Sequence, residues 1–195
     1  MRTIVVLDYD PTWPEIFERL RSEIWPAVSD VALAVEHVGS TSVPGLAAKP
    51  IIDMSVVVPT DAEIAVAIER LATLGYVHRG NLGVEGREAF RSPDELPPHH
   101  LYLCPRDSIG LANHLAVRDY LRTHPEMATE YGALKKRLAR EYPHDIDRYI
   151  DGKTDLILGI LRASNFPAAR LEAIERTNRM SVGQGGAPAD SARRE

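Results

Sequence analysis

Short apolar runs and amphipathic stretches alternate along the chain, and their order predicts the architecture. Apolar runs typical of strands occupy residues 4–7, 31–38, 51–58, 84–91 and 99–104. The first run predicts an edge strand, and the last two predict an antiparallel pair. Strands therefore come early and helices dominate late, which favours an α+β fold over a doubly wound parallel sheet.

Helical periodicity fills the gaps between these runs and nearly all of the chain after residue 106. Helices are predicted over residues 10–25, 60–75, 109–123, 125–142 and 145–164. The second helix has the clearest boundaries, because Thr60 and Glu63 form a capping box and Gly75 suits a helix end.

The folded part is predicted to end near residue 166. We interpret residues 1–166 as one domain and residues 167–195 as a polar, disordered tail, in which residues 167–180 add a frayed helix. The composition after residue 182 turns to Gly, Pro, Ser, Ala and charge, which is typical of disorder. A chain of 195 residues is long enough to bury a core without disulfides or a structural metal.

Composition and charge exclude several functional classes. A net charge of -5 argues against a dedicated nucleic-acid surface. The single cysteine, Cys104, excludes an internal disulfide and fits a reducing compartment. No apolar run approaches the roughly 18–20 residues of a membrane span, and Asp8 and Asp10 do not suit a signal peptide. We expect a cytoplasmic protein without membrane or nucleic-acid partners; the sequence identifies no protein partner.

Residues 36–58 carry most of the candidate chemistry, because they read as strand, small-residue turn and strand. The turn 39–42, Gly-Ser-Thr-Ser, offers backbone N–H groups and hydroxyls that suit phosphate oxygens. It can equally be a capping turn whose hydroxyls bond the local backbone. Asp53 lies in the strand that follows and could hold a metal ion. His37, just before the turn, is expected to be a hydrogen-bonded core residue.

Strand alternation predicts which side chains share the candidate site. In the strand over residues 51–58 one face is wholly apolar, and Asp53 and Ser55 lie on the other. In the later strand His100 and Tyr102 also lie opposite the apolar face. If the apolar faces of the two strands align, His100 and Tyr102 join Asp53 on the open side of the sheet.

Several basic side chains stand where they could reach an anion. Arg118 and Lys153 lie on the packing stripes of predicted helices, so each either extends its charge to solvent or binds an anion. Lys49 could reach a triphosphate or be a solvated loop lysine. Arg87 is a similar candidate, although a cross-strand ion pair would also explain it. Lys135 lies nearer the edge of its stripe, and we predict that it is solvated.

The run from His37 to Asp53, HVGSTSVPGLAAKPIID, resembles the signature of the GrpB family. Further matches extend the resemblance over roughly residues 5–165: Tyr9, Asp10, Pro11, Trp13, His100, Leu101, Arg118, Asp119, Tyr120, Leu121, Tyr131, Lys135 and Lys153. The resemblance implies a nucleotidyltransferase-like fold, in which a small mixed sheet has helices on one face and a helical C-terminal part follows.

In that superfamily a Gly-Ser pair precedes Asp-x-Asp, and a third carboxylate on a later strand completes a site for two Mg²⁺ ions that clamp a triphosphate. The Gly39–Ser40 pair and Asp53 match this pattern. Ser55 stands where the second aspartate belongs, and a neutral hydroxyl is a poor Mg²⁺ ligand. Glu85 and Glu88 are the nearest candidates for the third carboxylate.

Two functions follow from the resemblance and the residues. The first is a nucleotidyltransferase-like enzyme that transfers a nucleotidyl or phosphoryl group to a small acceptor with Mg²⁺. The second is a non-catalytic module that binds a nucleotide or another anionic small molecule, which the serine at position 55 favours. The residues assigned to either role are Asp53 as metal ligand, His100 as base or metal ligand, Gly39, Ser40 and Thr41 as phosphate cradle, and Lys49, Arg87, Arg118 and Lys153 as counter-charges.

Overall fold

The computed structural model describes residues 3–180, which form a five-stranded mixed sheet flanked by helices. In chain order the elements are α1 (Trp13–Val28), β1 (Ala34–Val38), β2 (Ile52–Val58), α2 (Ile64–Thr73), β3 (Val77–His78), β4 (Glu88–Arg91), β5 (His99–Pro105), α3 (Ile109–Thr123), α4 (Pro125–Glu141), α5 (Ile146–Ala163) and α6 (Ala168–Met180). Single 3₁₀ turns lie at Ser40–Ser42 and Asp61–Glu63.

The strand order is β1-β2-β5-β4-β3. The central pair, β2 and β5, runs parallel, and the other three pairs are antiparallel. This arrangement confirms the predicted α+β class with a mixed sheet. The register places Asp53 opposite His100 and Met54 opposite Leu101, so the apolar faces of the two strands align as expected.

One face of the sheet is apolar and carries α1 and α2. Alternate residues of β2 and β5 point to this side, and the amphipathic faces of α1 and α2 cover them because burying apolar surface is the main driving force of folding. The fully buried centre of this core includes Ile24, Ile52, Met54, Val56, Val58, Ala67, Leu71, Leu101 and Leu103.

The opposite face is only partly apolar, and the C-terminal helices lie over it. Near the β4 side, Val57, Ala89, Tyr102 and Cys104 pack against Leu111 of α3. Helices α3, α4 and α5 continue from there as a small bundle with its own buried residues. Over Asp53 and His100 the helices do not close on the sheet, and a pocket remains between them.

The structure differs from the prediction at the first strand and at the start of the first helix. Residues 4–7 are not a strand: Leu7 makes one isolated bridge to Ala48, and the Ile4 N–H donates to the Pro143 carbonyl. Helix α1 begins only at Trp13, because the Asp10 carboxylate accepts the Thr12 N–H at 2.8 Å and so forms a turn before the helix. Sequence periodicity alone does not separate such a turn from the helix that it leads into.

The region around the last two strands also departs from the prediction. The predicted strand over residues 84–91 is shortened to β4, because Gly80, Gly83 and Gly86 have positive φ angles that turn the preceding segment into a loop. The two-residue strand β3 went unpredicted. The capping box of Thr60 and Glu63 is confirmed, although it caps a 3₁₀ turn that leads into α2.

Helix α6 occupies the segment for which a polar helix was expected over residues 167–180. Its Ile174 packs with Leu158 and Leu161 of α5. The disordered tail predicted from residue 182 lies outside the described residues. Between residues 3 and 180, no helix is long and apolar enough to cross a membrane.

Leu101 lies at the centre of β5 with no exposed surface, so truncating it tests the apolar face. We expect Leu101→Ala to lower the free energy of unfolding by about 2–5 kcal/mol, because it leaves a cavity that the sheet cannot close. Leu33→Ala is the matched control, since Leu33 is 51% exposed and its loss should change stability by at most about 0.5 kcal/mol. Urea denaturation measures both; equal losses would contradict this packing.

Candidate functional site

A pocket of about 270 Å³ lies between the second face of the sheet and helices α3, α4 and α5. Its polar wall contains Gly39, Ser40, Lys49, Asp53, Arg87, His100, Tyr102, Asn113, His114, Arg118, Tyr131, Lys135, Tyr149 and Lys153. The structure thus brings together the residues assigned a role from the sequence, with the exception of Thr41, which does not line the pocket. Glu85 and Glu88, the candidates for a third carboxylate, do not line it either.

The turn at Gly39 forms one end of the pocket. Gly39 has φ 69° and ψ -172°, a conformation that suits glycine, and a Cβ on it would collide with Oδ2 of Asp53. Ser40 faces the pocket, whereas the other two hydroxyls point into the protein. Thr41 lies 3.0 Å from Nε2 of His37, and Ser42 Oγ donates to the Gly39 carbonyl at 2.6 Å. The turn therefore forms local hydrogen bonds, as a capping turn does, and also presents Ser40 to the pocket.

His37 has the structural role expected of it. Its ring stacks on Phe17 with centroids 4.6 Å apart, and it is 8% exposed. Burial lowers the pKa of His37 to about 4, against the attraction of Asp53, so the ring is neutral at pH 7 and acts as packing beneath the turn.

Two arginines of α3 brace the turn from the helical side. Arg118 Nη1 donates to Glu36 at 2.7 Å and to the His37 carbonyl at 3.1 Å. Arg122 donates to the Ser42 carbonyl through two nitrogens, at 2.8 and 3.1 Å. Arg118 lines the pocket, but Glu36 and the His37 carbonyl already accept hydrogen bonds from its guanidinium. These hydrogen bonds explain why an arginine occupies the apolar face of α3.

Asp53 and His100 form a hydrogen-bonded pair on the sheet, with 2.7 Å between Oδ1 and Nδ1. Burial opposes ionisation of Asp53, but the hydrogen bond and charge of His100, with help from Lys49, outweigh it and hold the pKa of Asp53 well below its usual value. Asp53 is consequently a carboxylate at every physiological pH.

The other candidate carboxylates lie elsewhere. Glu88 points to the opposite face of the sheet and contacts His78 at 2.6 Å, and Glu85 is exposed on the loop before β4. Of the described residues that line the pocket, Asp53 alone has a carboxylate. Within residues 3–180 no group of three histidine, cysteine or acidic side chains is arranged to hold a metal ion.

The prediction that Lys135 is solvated is wrong. Lys135 is 2% exposed, and its Nζ donates to Ser40 Oγ at 2.7 Å. Its Nζ lies 4.5 Å from the Tyr131 ring centroid, and Lys153 has the same distance to Tyr149. A tyrosine four residues before a lysine thus occurs on two adjacent helices, a repeat in the sequence that could have identified both lysines.

The lysines of the pocket repel one another. The pKa of Lys135 lies well below its usual value, because the side chain is buried and Lys153 and Lys49 repel its charge. Asp53 compensates for this only in part. Lys49 also approaches the Tyr149 ring at 5.6 Å. The pocket therefore brings several basic side chains close together.

The α3 side of the pocket contains two residues that the sequence did not single out, Asn113 and His114. The Arg87 guanidinium lies 4.5 Å above the Tyr102 ring, and Asn113 and His114 line the wall nearby. Burial and then Arg87 lower the pKa of His114 to about 4, although Asp53 opposes the shift. The only available signal was that Asn113 and His114 interrupt the apolar pattern of this helix.

The fold and the site define a class of protein: a mixed α+β domain whose helical C-terminal part covers a lysine-lined pocket. Residues 3–163 match the profile of the family described as GrpB protein, so the chain belongs to the GrpB family. This confirms the family resemblance of the run between His37 and Asp53.

Known relatives agree with this assignment. UPF0157 protein YqkA of Bacillus subtilis is 35% identical over 156 residues, which is 80% of this chain and 46% of YqkA. The chain thus spans about half the length of that relative. The crystal structure of conserved protein GrpB from Enterococcus faecalis superposes with a TM-score of 0.74 at 38% identity, covering 82% of this chain and 96% of the other.

A remoter likeness is too weak to support an argument about this chain. The Cid1 poly(U) polymerase with MgGTP bound gives a TM-score of 0.49 at 11% identity, over 70% of this chain and 44% of that one. This distant similarity carries no information about catalysis.

Gly39→Ala should disrupt the pocket through Asp53. We expect a loss of about 1–3 kcal/mol in the free energy of unfolding from the backbone conformation alone, and displacement of Asp53 in addition. Gly45→Ala is the control, because Gly45 has φ 78° but open space where a Cβ would lie. Thermal denaturation compares the two; equal losses would show that contact with Asp53 is unimportant.

Lys135→Met should stabilise the empty protein at pH 7 by about 1 kcal/mol, because it removes a buried amine surrounded by like charge. Lys135 has a lowered pKa in the folded protein and its ordinary value of 10.5 in the unfolded chain. At pH values between these two, the unfolded chain binds more protons than the folded protein, so the stability of the wild type rises with pH. The advantage of the variant should therefore shrink as the pH approaches 10. Urea denaturation from pH 7 to 10 measures it, and a pH-independent gap would contradict the depressed pKa.

Lys136→Met is the control for that series. Lys136 follows Lys135 on α4 but is one-third exposed and pairs with Asp8. Its replacement should change stability by at most about 1 kcal/mol, as for other surface ion pairs.

Proposed function

We propose that this pocket binds a multiply charged, phosphorylated small molecule, such as a nucleotide, without requiring a metal ion. The observation that supports it is the composition of the pocket wall: Lys49, Arg87 and Lys153, and Lys135 whenever it is protonated, share the pocket with a single carboxylate, Asp53, among the described lining residues. An anion with several charges would interact favourably with these groups together.

The phosphate end of such a ligand would lie against the Gly39 turn. Ser40 offers its hydroxyl there, and Lys135 Nζ is hydrogen-bonded to the same oxygen. Lys153 and Lys49 both lie close to the Tyr149 ring, so three amines converge on one side of the pocket. A volume of about 270 Å³ is near the lower limit of small-molecule sites, which suits a ligand the size of a sugar phosphate or nucleotide.

The donors present do not fit a pair of Mg²⁺ ions. Such a site requires several carboxylates, whereas Asp53 is hydrogen-bonded to His100 and Ser55 stands fully buried at the second position. The surrounding basic side chains would also repel a divalent cation. This donor set supports the binding alternative over metal-dependent transfer.

Transfer of a nucleotidyl or phosphoryl group to a small acceptor is the second candidate, and the Asp53–His100 pair favours it. A histidine whose ring is oriented by a carboxylate can accept a proton from an acceptor hydroxyl. In this function His100 would move the proton and the lysines would neutralise the phosphates.

Thermal denaturation with phosphate, pyrophosphate, triphosphate and nucleoside triphosphates tests the proposal. We expect stabilisation to increase with the number of phosphates and to persist in EDTA, reaching about 2.7 kcal/mol at a ligand concentration 100 times Kd. Lys153→Met should weaken the response, and Lys136→Met should leave it unchanged because Lys136 does not line the pocket.

Two other results would exclude this function. The absence of stabilisation by any phosphate compound would contradict anion binding in this pocket. Stabilisation that requires Mg²⁺ and disappears in Asp53→Asn would contradict metal independence and favour the transferase, which release of pyrophosphate from a nucleoside triphosphate would then test.

A further inference from the structure

The distribution of lysine in this protein is uneven. The chain has 19 arginines but only four lysines, at positions 49, 135, 136 and 153. Three of the four line the pocket. Arginine binds phosphate through a planar guanidinium group and does not lose its proton. A pocket that only binds an anion could therefore use arginine, which is the commoner basic residue in the rest of the chain. A lysine offers what arginine cannot, which is an amine that can become neutral and nucleophilic.

Lys135 has the surroundings that favour such an amine. Its side chain is enclosed between α4 and the turn at Ser40, and Lys135 is one of the residues that line the pocket. Lys153 and Lys49 repel its charge from α5 and from the segment before β2, and Asp53 attracts it from the sheet. Removal from water together with neighbouring positive charge is the usual way in which proteins activate a lysine.

We propose that Lys135 is a nucleophile that forms an imine with the carbonyl group of a phosphorylated aldehyde or ketone bound in the pocket. The inference rests on the proposed function, because Lys49, Lys153 and the Gly39 turn would hold the phosphate and so bring the carbonyl carbon to Nζ. Holding the two reactants together in this way raises their effective concentration.

The chemistry needs no oxidant, reductant or cofactor. The lone pair of the neutral Nζ attacks the carbonyl carbon, forming the C–N bond while the C=O π electrons move to oxygen. Nitrogen then loses its protons, the oxygen gains them and leaves as water, and the C=N bond forms. One amine and one carbonyl thus give one imine and one water.

Hydroxyl groups stand beside the amine for these proton transfers. Ser40 Oγ accepts a hydrogen bond from Nζ at 2.7 Å, and the Tyr131 hydroxyl interacts with the same serine. Burial raises the pKa of Tyr131 above its usual value, so this hydroxyl keeps its proton and is available to hydrogen-bond the oxygen that leaves.

Pyridoxal 5′-phosphate is a suitable probe, because it has an aldehyde and a phosphate in one small molecule. The full chain is incubated with it at pH 7 and the imine is trapped with cyanoborohydride. Peptide mass spectrometry then measures the rate of labelling at each lysine. We expect Lys135 to react about tenfold or more faster than Lys136, because each unit of pKa depression raises the neutral fraction of an amine about tenfold.

The two adjacent lysines provide an internal control, and two further comparisons separate reactivity from binding. Pyridoxal, which lacks the phosphate, should label Lys135 more slowly, and inorganic pyrophosphate should compete with the phosphate-bearing probe. Lys135→Arg should lose the fast adduct while inorganic pyrophosphate still stabilises it against heat. Lys136→Arg should retain the fast adduct.

The outcomes distinguish this inference from the function on which it rests. Equal labelling of Lys135 and Lys136, or faster labelling of Lys49 or Lys153, would overturn the assignment of the nucleophile. Thermal stabilisation by pyridoxal 5′-phosphate without an adduct at Lys135 would also overturn it and leave phosphate binding intact. Fast labelling of Lys135 by pyridoxal and its phosphate alike would support the nucleophile and contradict the phosphate site.

Discussion

The parallel pairing of β2 with β5 is the constraint on which the rest of the structure depends. Its register aligns two apolar faces beneath α1 and α2, and the same register necessarily aligns Asp53 with His100 on the other side. A shift by one residue would expose the core and bury the Asp53–His100 pair. The hydrophobic contacts that stabilise the sheet therefore also position the site.

The pocket has a local electrostatic cost in this fold. Three lysines converge where the chain could have packed apolar side chains, and the helices remain apart above them. The bundle of α3, α4 and α5 and the bracing of the turn by Arg118 and Arg122 hold this arrangement in place. The local electrostatic cost is tolerated because the apolar core on the other face of the sheet is extensive.

Sequence reasoning succeeded where one local pattern determines the outcome and failed where distant elements meet. Alternation in residues 51–58 sufficed to predict that Asp53 lies on the face opposite the apolar one. The family signature between His37 and Asp53 identified the turn at residues 39–42. The burial of Lys135 depends on how α4 approaches Ser40, a contact between residues far apart in the chain that helical periodicity does not encode. The short strand β3 likewise exists only because β4 is available to pair with it.

The position of Ser55 limits the side chains that this strand can carry. Ser55 has no exposed surface, and β1 and β5 flank it, so an aspartate there would be a buried charge, which costs several kcal/mol unless a partner compensates it. A second metal-binding carboxylate could become useful only if neighbouring side chains changed first to admit water and an ion. The small, neutral serine fits this closed position without any counter-charge, so the packing around β2 restricts which metal-binding groups the site can contain.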